Sequence, residues 1–130
     1  MKLRLDINPI PAPRPRVTSK GWTYYPKRYR EWREQAAELV PDALSSAKIF
    51  DPFTEALFLK AHFIVKRPKT TKLFYPLGDI DNYLKTLDCF NELLWIDDKQ
   101  IVQLEASKSW APSGELGHID LEVEGIGKWR

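Results

Sequence analysis

Two short segments carry the residues best suited to chemistry. Gly78-Asp79-Ile80-Asp81-Asn82-Tyr83-Leu84-Lys85 supplies two carboxylates and a lysine, and Leu94-Trp95-Ile96-Asp97-Asp98-Lys99-Gln100-Ile101 supplies two more carboxylates. Crowded carboxylates repel one another unless positive charge lies between them. An oxygen-only set of this kind suits a hard divalent cation such as Mg²⁺, which is usually held by a few carboxylates together with water and substrate phosphate. Asp79, Asp81, Asp97 and Asp98 are therefore the candidate metal ligands. Lys85 lies one helical turn beyond Asp81 and on the same face, where an ammonium can neutralise charge that builds on a phosphate or orient an attacking water. Together these residues suggest metal-assisted phosphodiester hydrolysis.

Each carboxylate also has a plainer reading. Aspartate is a favoured residue at a helix start, so Asp81 can be a cap, and Asp97-Asp98 has the composition of a turn. A cap does not require Asp79 two residues earlier, however, and a turn does not require adjacent carboxylates. The pattern as a whole favours the metal site.

The elements that must position these groups can be read from periodicity. Leu3, Leu5 and Ile7 alternate with polar residues as a strand does. The alternating prolines of Pro9 to Pro15 predict a stiff, extended arm that carries Arg14, Arg16 and Lys20, followed by Trp22, Tyr24 and Tyr25. Cations interleaved with aromatics can hold phosphates and stack on bases. Tyr29, Trp32, Ala36 and Leu39 recur at helical spacing, predicting a helix over 27–44 that Pro41 ends or kinks. Residues 56–66 alternate cleanly as a strand and lead into a cationic loop with Arg67, Lys69 and Lys72. A second helix is expected over 82–94, with Tyr83, Leu87, Phe90 and Leu94 as its apolar stripe. Strands follow at Val102–Ala106 and Ile119–Val123, with 111–117 as the hairpin loop between them. The expected order is β-α-β-α-β-β: one α+β domain over 1–130, with a mixed four-stranded sheet and two main helices.

Composition narrows the function classes. A hydrophobic fraction of 43% over 130 residues gives a modest globular core. No apolar run is long enough for a membrane span, and no secretory leader is evident, so a cytoplasmic location is expected. The single Cys89 suits packing better than nucleophilic chemistry, and with two distant histidines it offers no zinc set. Net charge is only +2, but its distribution is uneven. Residues 1–75 hold 15 Lys/Arg against 7 Asp/Glu, a net of +8, whereas residues 76–130 hold 5 against 11, a net of −6. A basic half beside an acidic cluster suits a protein that grips a polyanion and brings a metal ion to it.

Asp-x-Asp-Asn-x-x-Lys followed by Trp-x-Asp-Asp-x-Gln-Ile resembles the RusA family of Holliday junction resolvases, found in bacteria and especially in phages and prophages. The resemblance covers Asp79, Asp81, Asn82, Lys85, Asp88, Trp95, Asp97, Asp98, Gln100 and Ile101. Pro13-Arg14-Pro15-Arg16 and Tyr25-Pro26-x-x-Tyr29 are similar to the N-terminal region of phage members. The resemblance implies a homodimeric, Mg²⁺-dependent endonuclease, with Mn²⁺ as a substitute, that cuts four-way DNA junctions in the cytoplasm of a bacterial host. It implies Asp79, Asp81 and Asp98 as essential carboxylates and Lys85 as the active-site lysine, with the choice between Asp97 and Asp98 open. Two rival functions carry different expectations. A less selective nuclease would cut flaps or single strands as readily as junctions, and a non-catalytic DNA-binding accessory protein would bind junctions without cutting them.

Overall fold

The structure is a computed structural model that describes residues 1–127. Its centre is β4 (Leu57–Val65), which is paired on both sides. Leu57, Leu59, Ala61, Phe63 and Val65 are buried on one face, as the alternation in the sequence requires. On one side of β4 runs β6 (His118–Gly125), antiparallel, with Phe63 opposite Ile119 and Ala61 opposite Leu121. Beyond β6 lies β1 (Lys2–Leu5), also antiparallel. On the other side β5 (Ile101–Trp110) pairs with β4 in parallel and forms an edge of the sheet. The strand order is β1-β6-β4-β5, a mixed four-stranded sheet in an α+β domain.

This order corrects one expectation. β5 and β6 do not form a hairpin, because β4 lies between them, and the 111–117 segment is a crossover. A tight turn joins only adjacent antiparallel strands, so 111–117 has to pass over the end of β4, while the parallel pair β4 and β5 is joined by the long connection that carries the second helix. The edge position also explains why Val102 and Leu104, expected to pack as core strand residues, remain 42% and 45% exposed.

The two faces of the sheet differ in kind. The outer face carries charge rows that alternate in sign across strands: Lys2, Glu122, Lys60 and Glu105 lie in register, as do Arg4 and Asp120. Opposite charges on neighbouring strands stabilise a solvated face. The inner face is covered by α1 (Lys27–Ser46), whose Tyr29, Trp32, Ala36, Val40 and Leu44 are buried at helical spacing. Val40, rather than Leu39, takes the fully buried place. Contrary to expectation, α1 does not end at Pro41 but continues to Ser46, with Pro41 on its exposed side.

The second helix departs further from expectation. α2 spans only Ile80–Lys85 and passes into a 3-10 turn at Thr86–Phe90, after which the chain leaves helical geometry, with Glu92 at φ +69°. The expected stripe is nonetheless buried: Tyr83, Leu87, Phe90 and Leu94 all lie in the core. Core packing of Phe90, Leu94 and the fully buried Trp95 directs the path here, and Trp95 fixes it by donating from Nε1 to Asn91 Oδ1 at 2.6 Å. The N-terminal arm also differs from a plain loop. It forms a two-stranded hairpin, β2 (Arg16–Val17) with β3 (Thr23–Tyr24), closed by a turn in which Gly21 adopts φ +83°.

Candidate metal and nucleic-acid site

The acidic segments meet at the open edge of the sheet. Leu59, Leu84, Lys85, Leu87, Asp88, Trp95, Asp98, Ile101 and Leu104 line one cleft of about 170 Å³ between α2, its 3-10 extension and β5. Lys85, Asp88 and Asp98 are therefore neighbours around one space. Its floor is apolar, which strengthens electrostatic interactions at its mouth.

Asp98 reaches this cleft because the short helical turn Asp98–Gln100 is firmly built. Asp97 precedes that turn and its carboxylate accepts from the backbone N–H of Lys99 at 2.9 Å. In return Gln100 Oε1 accepts from the N–H groups of Asp97 and Ile96, at 3.0 and 2.9 Å. The result is a reciprocal capping box. Gln100 Nε2 then donates to the carbonyls of Phe53 and Glu55, anchoring the turn to the segment before β4. The two adjacent aspartates thereby acquire different roles. The Lys99 N–H holds Asp97 below the ordinary carboxylate range, while burial and the neighbouring Asp97 push Asp98 up. Asp97 is the cap and Asp98 is the carboxylate left facing the cleft.

Asp88 is the residue whose role the sequence did not explain. Its Oδ2 pairs with Arg33 Nη2 of α1 at 3.2 Å, and its Oδ1 is buried without a hydrogen-bond partner. Burial raises the Asp88 carboxyl, Arg33 opposes that rise, and Asp98 adds to it. Arg33 in turn lies 5.5 Å from the ring centre of Tyr25 and 6.0 Å from that of Tyr29. Burial pushes the neighbouring Cys89 thiol up to about 12, in keeping with a packing role.

Asp79 and Asp81 lie at the opposite end of α2. Asp79 occupies the N-cap position and Asp81 the first turn, yet no side chain caps this helix. Among the described residues neither carboxylate enters an ion pair. The plainer reading of Asp81 as a cap therefore does not hold. Lys85 Nζ donates to Asn82 Oδ1 at 3.2 Å, one turn back along the helix. The expected four-carboxylate cluster is not closed, however. Among the described residues no three His, Cys, Asp or Glu side chains are gathered tightly enough to hold a cation. The cleft is lined by Asp98, Asp88 and Lys85, while Asp79 and Asp81 stand outside its lining at the start of the same short helix.

The donor chemistry still fits a hard cation. The candidate ligands are all carboxylate oxygens, the neighbouring Asp88 adds a buried Oδ1 with no partner, and Asp98 adds to the cost of ionising Asp88.

The basic residues lie on two segments that adjoin α2. The Ala12 N–H donates to the Asn82 carbonyl at 2.9 Å, so the proline arm lies against the first turn of α2, beside Asp79 and Asp81. Trp32 Nε1 fixes the arm's start by donating to the Asn8 carbonyl at 2.9 Å. Arg14, Arg16 and Lys20 extend from there, all exposed, and Trp22 stands 72% exposed on the hairpin. Arg67, Lys69 and Lys72 are exposed on the loop that leads from β4 to Asp79. That loop begins next to the arm, since Lys66 N–H donates to Asn8 Oδ1 at 2.8 Å.

Besides the roles of Asp88 and Arg33, sequence reasoning missed Lys108 and Trp110 of β5. Lys108 Nζ donates to the carbonyls of Pro76 and Gly78, and Trp110 Nε1 donates to that of Leu73. Their period-two spacing on an otherwise apolar strand face was the available signal.

A protein-family model described as Endodeoxyribonuclease RusA matches residues 6–124. Comparison with curated proteins gives no match. No helix among the described residues is long and apolar enough to cross a membrane.

Proposed function

The chain belongs to the RusA family of endodeoxyribonucleases, and from that premise we propose that it resolves four-way DNA junctions by Mg²⁺-dependent phosphodiester hydrolysis. The observation that carries the metal-dependent part of this reading is the cleft in which Lys85, Asp88 and Asp98 meet, with one carboxylate oxygen of Asp88 buried and unpartnered.

Asp98, together with Asp79 and Asp81, would hold the cation. When bound, Mg²⁺ or Mn²⁺ supplies Lewis acidity and a more acidic coordinated water. The protein's own residues do the rest. Lys85 places an ammonium at the rim of the cleft, where it stabilises charge developing on a phosphate oxygen. The apolar floor formed by Leu59, Leu87 and Leu104 excludes water from beneath that charge. Arg33 keeps one oxygen of Asp88 occupied and so aims the other inward. Arg14, Arg16 and Lys20 of the arm, and Arg67, Lys69 and Lys72 of the adjoining loop, grip the phosphate backbone and orient the duplex arms.

A four-way junction presents two symmetry-related strands for cutting, so a two-fold homodimer places one site on each. Sedimentation at micromolar concentration is expected to give about twice the 15.2 kDa chain mass.

The deciding experiment is incubation of the purified protein with a labelled synthetic four-way junction, a nicked junction and a flapped duplex, with and without Mg²⁺. Paired, metal-dependent cuts in the intact junction support the proposal. Equal cutting of all three substrates points to a less selective nuclease, and tight binding without cleavage in Mg²⁺ or Mn²⁺ points to an accessory DNA-binding protein.

A further inference from the structure

Lys108 lies on the inner face of β5, in the row of Val102, Leu104, Ala106 and Trp110. An ammonium on a face that packs against the core is costly unless its hydrogen-bonding capacity is met. Among the described residues no carboxylate pairs with it. Its Nζ instead donates to the Gly78 carbonyl at 2.6 Å and the Pro76 carbonyl at 2.9 Å, and lies 5.3 Å from the ring centre of Tyr75. The partners of this half-buried charge are thus all in the loop that ends at Asp79.

The Gly78 carbonyl is mechanically coupled to Asp79. A peptide unit is planar, so the C=O of Gly78 and the N–H and Cα of Asp79 move as one plate. Fixing that oxygen fixes the plane from which the Asp79 side chain departs. The loop also needs to be held. Gly78 adopts φ +96°, and a Cβ there would come within 2.9 Å of the Pro11 ring. Two further side chains fasten the same loop from either end: Trp110 Nε1 to the Leu73 carbonyl at 3.0 Å, and Tyr83 Oη to the Leu77 carbonyl at 2.8 Å. Lys108 is the fastener that reaches the residue adjoining Asp79.

We propose that Lys108 is a positioning residue of the nuclease site, holding the Pro76–Gly78 backbone against β5 and thereby setting where Asp79 presents its carboxylate. The proposal rests on the reading of Asp79 as a working carboxylate of a junction nuclease. Lys108 itself touches neither substrate nor metal.

The test uses the full chain with Lys108→Met, which keeps the stem and removes the donors, and Lys108→Arg, which keeps charge and donors. Three quantities are measured: single-turnover cleavage of a four-way junction in Mg²⁺, junction affinity in EDTA, and backbone amide exchange of the metal-free protein. Lys108→Met is expected to cut about ten- to a hundredfold more slowly, the scale of an ångström-level misplacement of a reacting group. Its junction affinity should stay within about twofold, since this ammonium is turned to the Pro76 and Gly78 carbonyls rather than to bound phosphate. Amides of residues 76–83 should exchange faster while those of β4 and β6 are unchanged, and Lys108→Arg should recover both cleavage and protection. Wild-type cleavage by Lys108→Met, unchanged exchange over 76–83, or faster exchange spread evenly over the whole sheet each overturns the proposal. If the wild-type protein itself cuts no junction, the nuclease reading falls first, whereas failure of Lys108 alone in an active protein counts only against the positioning role.

Discussion

Arg33 of α1 and Asp88 of the 3-10 turn after α2 form an ion pair of 3.2 Å that leaves the second oxygen of Asp88 buried and unpartnered. The arrangement ties the central helix to the cleft and holds a carboxylate there at a cost to its ionised form. Asp88 is raised by burial with help from Asp98, and Asp98 is raised by burial and Asp97. A carboxylate whose pKa is higher in the folded than in the unfolded chain disfavours folding when ionised. That penalty is fully present above the folded pKa and disappears as pH falls to the unfolded value of about 4.

Asp88→Asn is therefore expected to raise the Tm of the metal-free protein at pH 7, with the advantage fading as the pH approaches about 4. Thermal melts across this range check the sign. For cleavage the sign is opposite, because protons compete with the cation for Asp98. At subsaturating Mg²⁺ the rate should fall on acidification already above the ordinary carboxylate range, and extra Mg²⁺ should recover it.

Separate roles for the adjacent aspartates predict a sharp contrast. Asp98→Asn, Asp79→Asn and Asp81→Asn should each abolish junction cleavage yet leave binding intact or tighter, since carboxylates near phosphate repel it without metal. Asp97→Ala should retain cleavage within about tenfold but lower the Tm, because the cap that orders the Asp98–Gln100 turn is lost, whereas Asp97→Asn, whose amide oxygen can still accept from Lys99, should melt close to wild type. Normal cutting by the Asp98 variant together with loss in the Asp97 variant would reverse the assignment.

Lys85→Ala should slow cleavage on the order of 10²-fold, as expected for removal of one preorganised charge at the reacting phosphate. Lys85→Arg should restore only part of the rate, because a planar guanidinium cannot occupy the place of a compact ammonium. A wild-type rate in Lys85→Ala would confine Lys85 to its contact with Asn82.

The grip on DNA should be electrostatic. Junction affinity is expected to fall steeply with salt, and each of Arg14, Arg16, Lys20, Arg67, Lys69 and Lys72 that contacts a phosphate should flatten the log–log slope by about 0.9 when replaced by alanine. Six variants with unchanged affinity and slope would move the DNA path to another face.

The sequence by itself determined which residues face the core and which element types form. Leu57 to Val65 alternate so regularly that only a strand with one buried face satisfies them, and Tyr29, Trp32 and Ala36 require one helical stripe. Composition and spacing likewise marked Asp79, Asp81, Lys85, Asp97 and Asp98 as a group. Long-range packing decided the rest. Local periodicity cannot tell that β5 pairs with β4 rather than β6, because strand neighbours are set by which edges the crossover leaves free. Nor can it end α2 at Lys85, since the stripe Tyr83, Leu87, Phe90 and Leu94 suits a longer helix equally well, and the path is chosen where Trp95 buries its ring. Asp97 and Asp98 are chemically identical in the sequence. Only the turn that gives one the Lys99 N–H, and turns the other toward Asp88 and Lys85, makes one a cap and the other a cleft carboxylate.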